Sequence, residues 1–234
     1  MALKLDQIKA QAGDFKLTAD VEIPQGASMA IIGASGSGKS TLLDVIAGFR
    51  TPSEGKVLWH GKPITDLPPG ARPIAILFQD TNLFPHLTIQ QNLALALNPS
   101  SGRLGAGDAD RINSALEQVG LAGFAPRRLA EMSGGQQSRA ALARVLLQDR
   151  PVLLLDEPFA ALGPALKDEM LDLVSEVVRD NGTTVLLVTH DPKDARRFAP
   201  QTLLVEAGRV VPPQDTAPLL DNPPDELRAY LGAS

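Results

Sequence analysis

Gly33-Ala34-Ser35-Gly36-Ser37-Gly38-Lys39-Ser40-Thr41 is the stretch whose reading decides the fold. Gly33, Gly38, Lys39 and Ser40 fit the spacing G-x-x-x-x-G-K-S/T. The apolar run Met29-Ala30-Ile31-Ile32 leads in, and the helix-like run Leu42-Leu43-Asp44-Val45-Ile46-Ala47 leads out. Strand, tight loop and helix in that order are the setting in which this spacing carries chemistry. Backbone N–H groups of a glycine-rich turn can wrap phosphate oxygens where no Cβ blocks the approach. The helix start behind them adds about half a positive charge. The expectation is a phosphate cradle running from Gly33 to Thr41, with Ala34, Ser35, Gly36 and Ser37 inside it. Lys39 is expected to reach the β- and γ-phosphates, and the Ser40 hydroxyl to hold Mg²⁺. The plain alternative, a glycine-rich turn beside a surface lysine, does not account for the flanking runs or for the motifs described below.

Working outward, three further apolar runs read as buried strands of a parallel sheet: Ile74 to Phe78, Val152 to Leu155 and Thr184 to Val188. Such strands are apolar on both faces because helices cover both sides. Residues 1–24 alternate instead, with Leu3, Leu5 and Ile8, then Phe15, Leu17, Val21 and Ile23, which predicts a small antiparallel sheet. Gly55 to Gly61 reads as one more short strand between glycine turns. Ala109 to Val119, Gln137 to Leu147 and Leu166 to Val178 carry helical patterns. Residues 79–151 are too many for one crossover, so an inserted helical subdomain is expected there, with Asn98 to Gly107 as its flexible link. The expected fold class is α/β: a P-loop NTPase core of parallel sheet with flanking helices, an N-terminal antiparallel β-subdomain and an inserted α-helical subdomain. The expected division is one domain: 1–79 and 150–211 as the nucleotide-binding core, 80–149 as the helical subdomain and 212–234 as a short tail. In that tail Leu219, Leu220, Leu227, Tyr230 and Leu231 can pack locally.

Composition narrows the function. The 234 residues are 44% hydrophobic, enough for a proper core, and no run approaches the ~20 apolar residues that span a bilayer. The start, Met1 to Ala10, alternates polar and apolar residues and does not read as a secretory signal. The absence of cysteine excludes disulfides, thiolate zinc sites and thiol catalysis, and fits a cytosolic protein. A net charge of −5 reads first as plain solubility, and it also argues against nucleic acid as a partner, since phosphate-tracking proteins carry a basic face.

Other motifs add chemistry to the loop. The strand Val152 to Leu155 ends in Asp156-Glu157-Pro158. Asp156 suits Mg²⁺, which favours hard oxygen ligands and keeps several waters. Glu157 suits a base that accepts a proton from an attacking water, and a helix-capping pair is the plain alternative for the two acids. Ser133-Gly134-Gly135-Gln136 opens a strong helix, either as a second phosphate-friendly helix start or as an N-cap with a flexible lead-in. Gln79 ends the strand after the loop and can offer an amide oxygen to Mg²⁺ or water, or be polar surface. His190, in Thr189-His190-Asp191 at the end of the last apolar strand, is either a structural histidine or a contact to the γ-phosphate or the hydrolytic water. His60 and His86 read as structural or surface residues.

Together the phosphate loop, Gln79, Ser133 to Gln136, Asp156-Glu157-Pro158 and His190 resemble the ATP-binding cassette ATPases, from about Leu3 to Val211. The resemblance implies ATP and Mg²⁺ as cofactors and ATP hydrolysis as the reaction. Catalysis would fall to Glu157, His190 and Lys39, metal binding to Ser40, Gln79 and Asp156. Two copies would meet head to tail, each ATP lying between the phosphate loop of one and Ser133 to Gln136 of the other. A finer resemblance runs through Arg72 to Pro99, with Leu42 to Phe49, and is to the cassette subunit of bacterial thiamine importers. It implies uptake of thiamine or its phosphates, a membrane permease contacted through Leu83-Phe84-Pro85-His86, a periplasmic solute-binding protein as an indirect partner, and a peripheral place on the cytoplasmic face of the bacterial inner membrane. A cassette for another solute, or a non-transport cassette ATPase, is the alternative.

Three positions depart from the family pattern. Gly163 in Ala160-Ala161-Leu162-Gly163-Pro164 stands where an aspartate is usual, so coupling between the two sites of a dimer is expected to differ. No aromatic occurs in Lys9 to Gly13, where the family stacks adenine; Phe15 is the nearest candidate, although its alternation with Leu17 suggests core. Gln137 replaces a usual basic residue.

Overall fold

The computed structural model describes residues 2–79 and 83–231. Asp80, Thr81 and Asn82, inside the stretch compared with thiamine importers, and the last three tail residues lie outside that range. In chain order the elements begin with β1 (Leu3–Ala12), β2 (Phe15–Ile23), β3 (Ser28–Ile32), α1 (Lys39–Ala47), β4 (Glu54–Trp59), β5 (Lys62–Pro63) and β6 (Ile74–Leu77). There follow α2 (Ile89–Leu97), α3 (Asp108–Gln118), α4 (Gly134–Leu146), β7 (Val152–Asp156) and α5 (Pro164–Asn181). The chain closes with β8 (Thr184–Val188), α6 (Pro192–Phe198), β9 (Gln201–Glu206), β10 (Arg209–Val210), β11 (Gln214–Asp215), α7 (Thr216–Asp221) and α8 (Asp225–Leu231). Two compact units share them: residues 1–74, 151–157 and 178–234 form the first, and residues 75–150 and 158–177 the second.

In the first unit the hydrogen-bonded strand order is β5-β4-β1-β2-β10-β9-β3-β8-β7. β3 lies between β8 and β9, parallel to both, with Ile31 opposite Val188 and Leu203. β7 extends the parallel part, Leu154 facing Leu186. β3, β7 and β8 are buried along nearly their whole length, as strands covered on both faces must be. The alternating N-terminal segment forms the antiparallel β1–β2 pair, Leu5 opposite Val21, and β4 adds antiparallel to β1. The α/β class and the antiparallel N-terminal sheet expected from the sequence are therefore present. Parallel β-strands end at the same edge, so the phosphate loop after β3, Glu157 after β7 and His190 after β8 leave the sheet on one side. The proline-rich tail folds as α7 and α8, with Leu219, Leu220 and Leu227 buried.

α1 carries the loop. Its N-cap is Gly38, left-handed at φ 112°, and no side chain caps it, so its first N–H groups are not taken up by the protein's own side chains. Its C-terminal end is held by Arg72, 1% exposed. The guanidinium donates to the carbonyls of Val45 and Ile46 at 2.8 Å each, of Leu67 at 3.0 Å and of Thr65 at 2.5 Å. A cation at a helix C-terminus satisfies orphan carbonyls and opposes the dipole's negative end.

In the second unit, α2 starts with a capping box, Thr88 accepting from the Gln91 N–H and Gln91 accepting from the Thr88 N–H. Asn92, wholly buried, accepts from the Phe84 N–H at 2.7 Å and donates to the Phe84 carbonyl at 3.0 Å, fixing the loop before the helix. Arg139 of α4 donates to the Val119 carbonyl at 2.7 Å and pairs with Glu169 of α5.

Candidate functional site

The loop is shaped by what its glycines exclude. A Cβ on Gly33 would stand 2.2 Å from the Val205 carbonyl oxygen, and one on Gly38 would stand 2.9 Å from the Phe15 ring. The Phe15 ring, half-buried, therefore rests on the loop's last glycine, so the residue read as core from its alternation also forms a flat apolar wall beside the loop. Lys39 folds back over the turn, its Nζ donating to the carbonyls of Gly33 at 2.7 Å and Ala34 at 3.0 Å. Burial pushes the ammonium's pKa down, and the charges of Glu157 and Asp156 oppose that shift. Ala34, Ser35, Gly36 and Ser40 are exposed, Thr41 is half-buried and Ser37 is buried.

The strand ends supply the acids. Burial first, then the charges of Glu157 and Asp44, pushes the Asp156 carboxyl above its usual range, while Lys39 pulls it down. Glu157 sits at φ 46°, a left-handed backbone that costs a non-glycine residue about 1–3 kcal/mol. Its N–H donates to the Val188 carbonyl at 3.1 Å, which ties it to the end of β8. Its Oε2 lies 2.9 Å from His190 Nδ1. An ionised carboxylate only accepts, so Nδ1 carries the hydrogen and donates. His190 is steadied by its neighbours: Thr189 Oγ1 donates to Asp194 at 2.6 Å, and Asp191 caps α6 by accepting from the Lys193 N–H at 2.9 Å. His190 thus sits against Glu157, the candidate base.

The first unit thereby gathers Gly33 to Thr41, Asp156, Glu157 and His190. The second unit holds Gln79, exposed just after β6, and the Ser133 helix start. There Ser133 accepts from the Gln136 N–H at 3.3 Å, and Gln136 accepts from the Ser133 N–H at 3.0 Å, a capping box at the head of α4. Ser133 and Gly134 are exposed, while a Cβ on Gly135 would stand 2.6 Å from Leu166. Gln137 donates to the carbonyls of Leu129 and Met132, bracing the turn before the helix. Gly163 has open space where a Cβ would stand. Two residues close to these acids were not read as site residues from the sequence. Asp44 raises the Asp156 pKa, and its signal was present: it lies four residues after Ser40 on one helix face. Tyr230 of α8 has its pKa raised by burial and then by the charge of Glu157; nothing local in the tail announces that.

Uncapped N–H groups beside a lysine select an anion, and carboxylates close to that lysine select a cation and a polarised water. One loop serving both defines a P-loop nucleoside triphosphatase. The ABC transporter family model matches residues 18–160. Over 98% of this chain and 99% of the other, the chain is 59% identical to the thiamine import ATP-binding protein ThiQ of Cereibacter sphaeroides. Over 99% of this chain it is 54% identical to the protein of the same name in Ruegeria sp.. Among solved structures, the dimeric post-hydrolysis state of the ATP-binding cassette MJ0796 with ADP and Pi is 30% identical, with a TM-score of 0.77 over 92% of this chain and 98% of that one. The ADP conformation of the cassette MJ1267 matches the fold with a TM-score of 0.86 at 24% identity, over 99% of this chain and 98% of that one. The chain belongs to the ABC transporter family, as an ATP-hydrolysing cassette. Among the described residues no helix is long and apolar enough to cross a membrane.

Proposed function

We propose that this chain is the ATP-hydrolysing subunit of a bacterial importer for thiamine or its phosphates. The cargo reading rests on one observation, full-length similarity to proteins named for thiamine import. ATP lies on the loop from Gly33 to Thr41, with Lys39 exchanging its carbonyl contacts for the β- and γ-phosphates. Ser40, Asp156 and Gln79 would supply the oxygen donors for Mg²⁺. The donor set fits that ion: hard oxygens only, with Asp44 and Glu157 adding negative charge around Asp156. When bound, Mg²⁺ neutralises charge on the phosphate oxygens. Glu157 takes the proton of the attacking water, and the imidazole N–H of His190 fixes the carboxylate that does so. Lys39 steadies the charge that gathers on the transferring phosphoryl group.

The Ser133 to Gln136 helix start serves a second copy. Its exposed serine and glycine suit a γ-phosphate delivered by the partner's loop, in a head-to-tail dimer. The dimeric form of the similar MJ0796 cassette supports the pairing of two copies. The permease is contacted through the Leu83 to His86 segment, where Phe84 is 44% exposed on a loop fixed by Asn92 while Leu83 is buried as core. The subunit then sits peripherally on the cytoplasmic face of the inner membrane, and a periplasmic solute-binding protein acts on it only through the permease. Reconstitution of the chain with its permease in liposomes tests the reading. Thiamine with its binding protein should stimulate ATP hydrolysis inside the assembly. Stimulation by a different solute alone would replace the cargo, and hydrolysis absent under all conditions would overturn the enzyme assignment.

A further inference from the structure

The turn between β9 and β10, Glu206-Ala207-Gly208, leans on the phosphate loop. The Gly208 N–H donates to the Ser37 carbonyl at 3.0 Å, and the Gly208 carbonyl accepts from the Thr18 N–H at 2.7 Å. The turn is thus tied to β2 and to the loop at once. Ala207 is held at φ 43°, a left-handed conformation that L-residues avoid. On the far side of this contact is a pocket of about 30 Å³ lined by Gly33, Ser37, Val205, Glu206, Glu226 and Leu227. Leu227, 2% exposed, brings α8 against it.

Two buried polar atoms of residues lining this pocket lack a protein partner among the described residues. Ser37, 5% exposed, has its Oγ without a hydrogen bond, and Glu206 Oε1 is buried without one, among the described residues. Buried polar atoms in folded proteins are nearly always paired, with protein or with ordered water. Among the described residues no lysine or arginine lines the pocket to serve either atom. One molecule with two donors satisfies both, and the ~30 Å³ open to water centres exceeds the ~10–15 Å³ that one water needs. We propose that a buried water bridges Glu206 Oε1 and Ser37 Oγ, and that Glu206 is a positioning residue for the phosphate loop. The water donates one hydrogen to the carboxylate and meets the serine hydroxyl with the other hydrogen or its lone pair. Ser37 stands between Gly36 and Gly38, the two most permissive neighbours a loop residue can have. Fixing it from behind, by the Gly208 N–H and by the water, lowers the ordering cost that the nucleotide must otherwise meet. This inference rests on the loop's role as the ATP cradle.

The test uses the full chain and reads KM for MgATP separately from kcat. Glu206→Leu should raise KM about 3–10-fold, the loss expected of one hydrogen bond, with kcat within about twofold. Glu206→Gln keeps the acceptor and should restore KM to within about twofold of the unaltered chain. In a Ser37→Ala background, Glu206→Leu should add almost nothing. An unchanged KM in Glu206→Leu, a fall in kcat alone, or full additivity with Ser37→Ala would overturn the proposal. A crystal structure of the unaltered chain grown with thallium(I) decides the bridge without any variant. A water bonded to both oxygens supports it. Anomalous thallium density in the pocket, an empty pocket, or a direct Ser37–Glu206 bond refutes it. A chain that binds no MgATP at all sinks the functional reading together with this one, whereas normal binding indifferent to Glu206→Leu sinks this one alone.

Discussion

Glu157 combines two roles in one carboxylate, a strained backbone at the end of β7 and a side chain oriented by His190. Glu157→Gln keeps the shape and removes the base. Turnover should fall about 10²–10⁴-fold, the contribution of general base catalysis, while MgATP affinity stays within about threefold. Steady-state hydrolysis and an equilibrium titration on the same sample measure both; loss of binding together with turnover would contradict the assignment. Asp156 offers a different test. Its folded-state pKa is raised, chiefly by burial and then by Glu157 and Asp44. As pH rises from the unfolded carboxylate value of 3.8 through the folded one, the unfolded chain releases its proton first, so the metal-free protein loses stability across that window. Above it, Asp156→Asn should melt higher than the unaltered chain in the absence of Mg²⁺. The gap should close at low pH, where both states are protonated. A lower melting temperature for the variant at neutral pH would contradict the sign.

At the scale of elements, α1 is the part on which the phosphate loop depends, and its two ends are treated differently. The N-terminal end is left without a side-chain cap, while the C-terminal end is closed by Arg72. Arg72→Met fills similar space but leaves the carbonyls of Val45, Ile46, Leu67 and Thr65 without their donor. Unfolding in urea should show a loss of at least about 3 kcal/mol, since bonds to a charged donor are worth about 1.5–3 kcal/mol each. A loss below ~1 kcal/mol would mean that water reaches those carbonyls. The apolar runs that became β3, β7 and β8 were legible because burial on both faces leaves an uninterrupted signature in sequence. Arg72 was not legible as a buried cap. A lone arginine before Pro73 reads as surface, and its partners Val45 and Ile46 lie 27 and 26 residues earlier. The Ser133–Gln136 capping box was open to two readings from sequence, because a free helix start and a capped one begin with the same residue types.

For the whole molecule, the candidate site residues were legible because each lies in the segment that leaves a strand end: Lys39 on the loop after β3, Glu157 directly after β7, His190 two residues after β8. Parallel pairing then brings those ends to one edge. What sequence could not give arises from pairing between distant strands, as in the contact of the β9–β10 turn with Ser37 and the Phe15 ring on Gly38. Gly163 tests the coupling of two copies. Open space surrounds the position of its missing Cβ, so Gly163→Asp should fold normally. It should raise turnover severalfold, on the order of one charge-assisted hydrogen bond, if an acid there links the two sites. An unchanged rate with an unchanged melting temperature would show that this loop works without the carboxylate. The account as a whole stands on the phosphate cradle, and calorimetric titration of MgATP into the purified chain and into Lys39→Ala tests it most directly. The account predicts saturable binding near one nucleotide per chain, weakened about 10–100-fold in the variant by loss of a charged phosphate contact. Equal affinity in both chains, or no binding in the unaltered one, would contradict it.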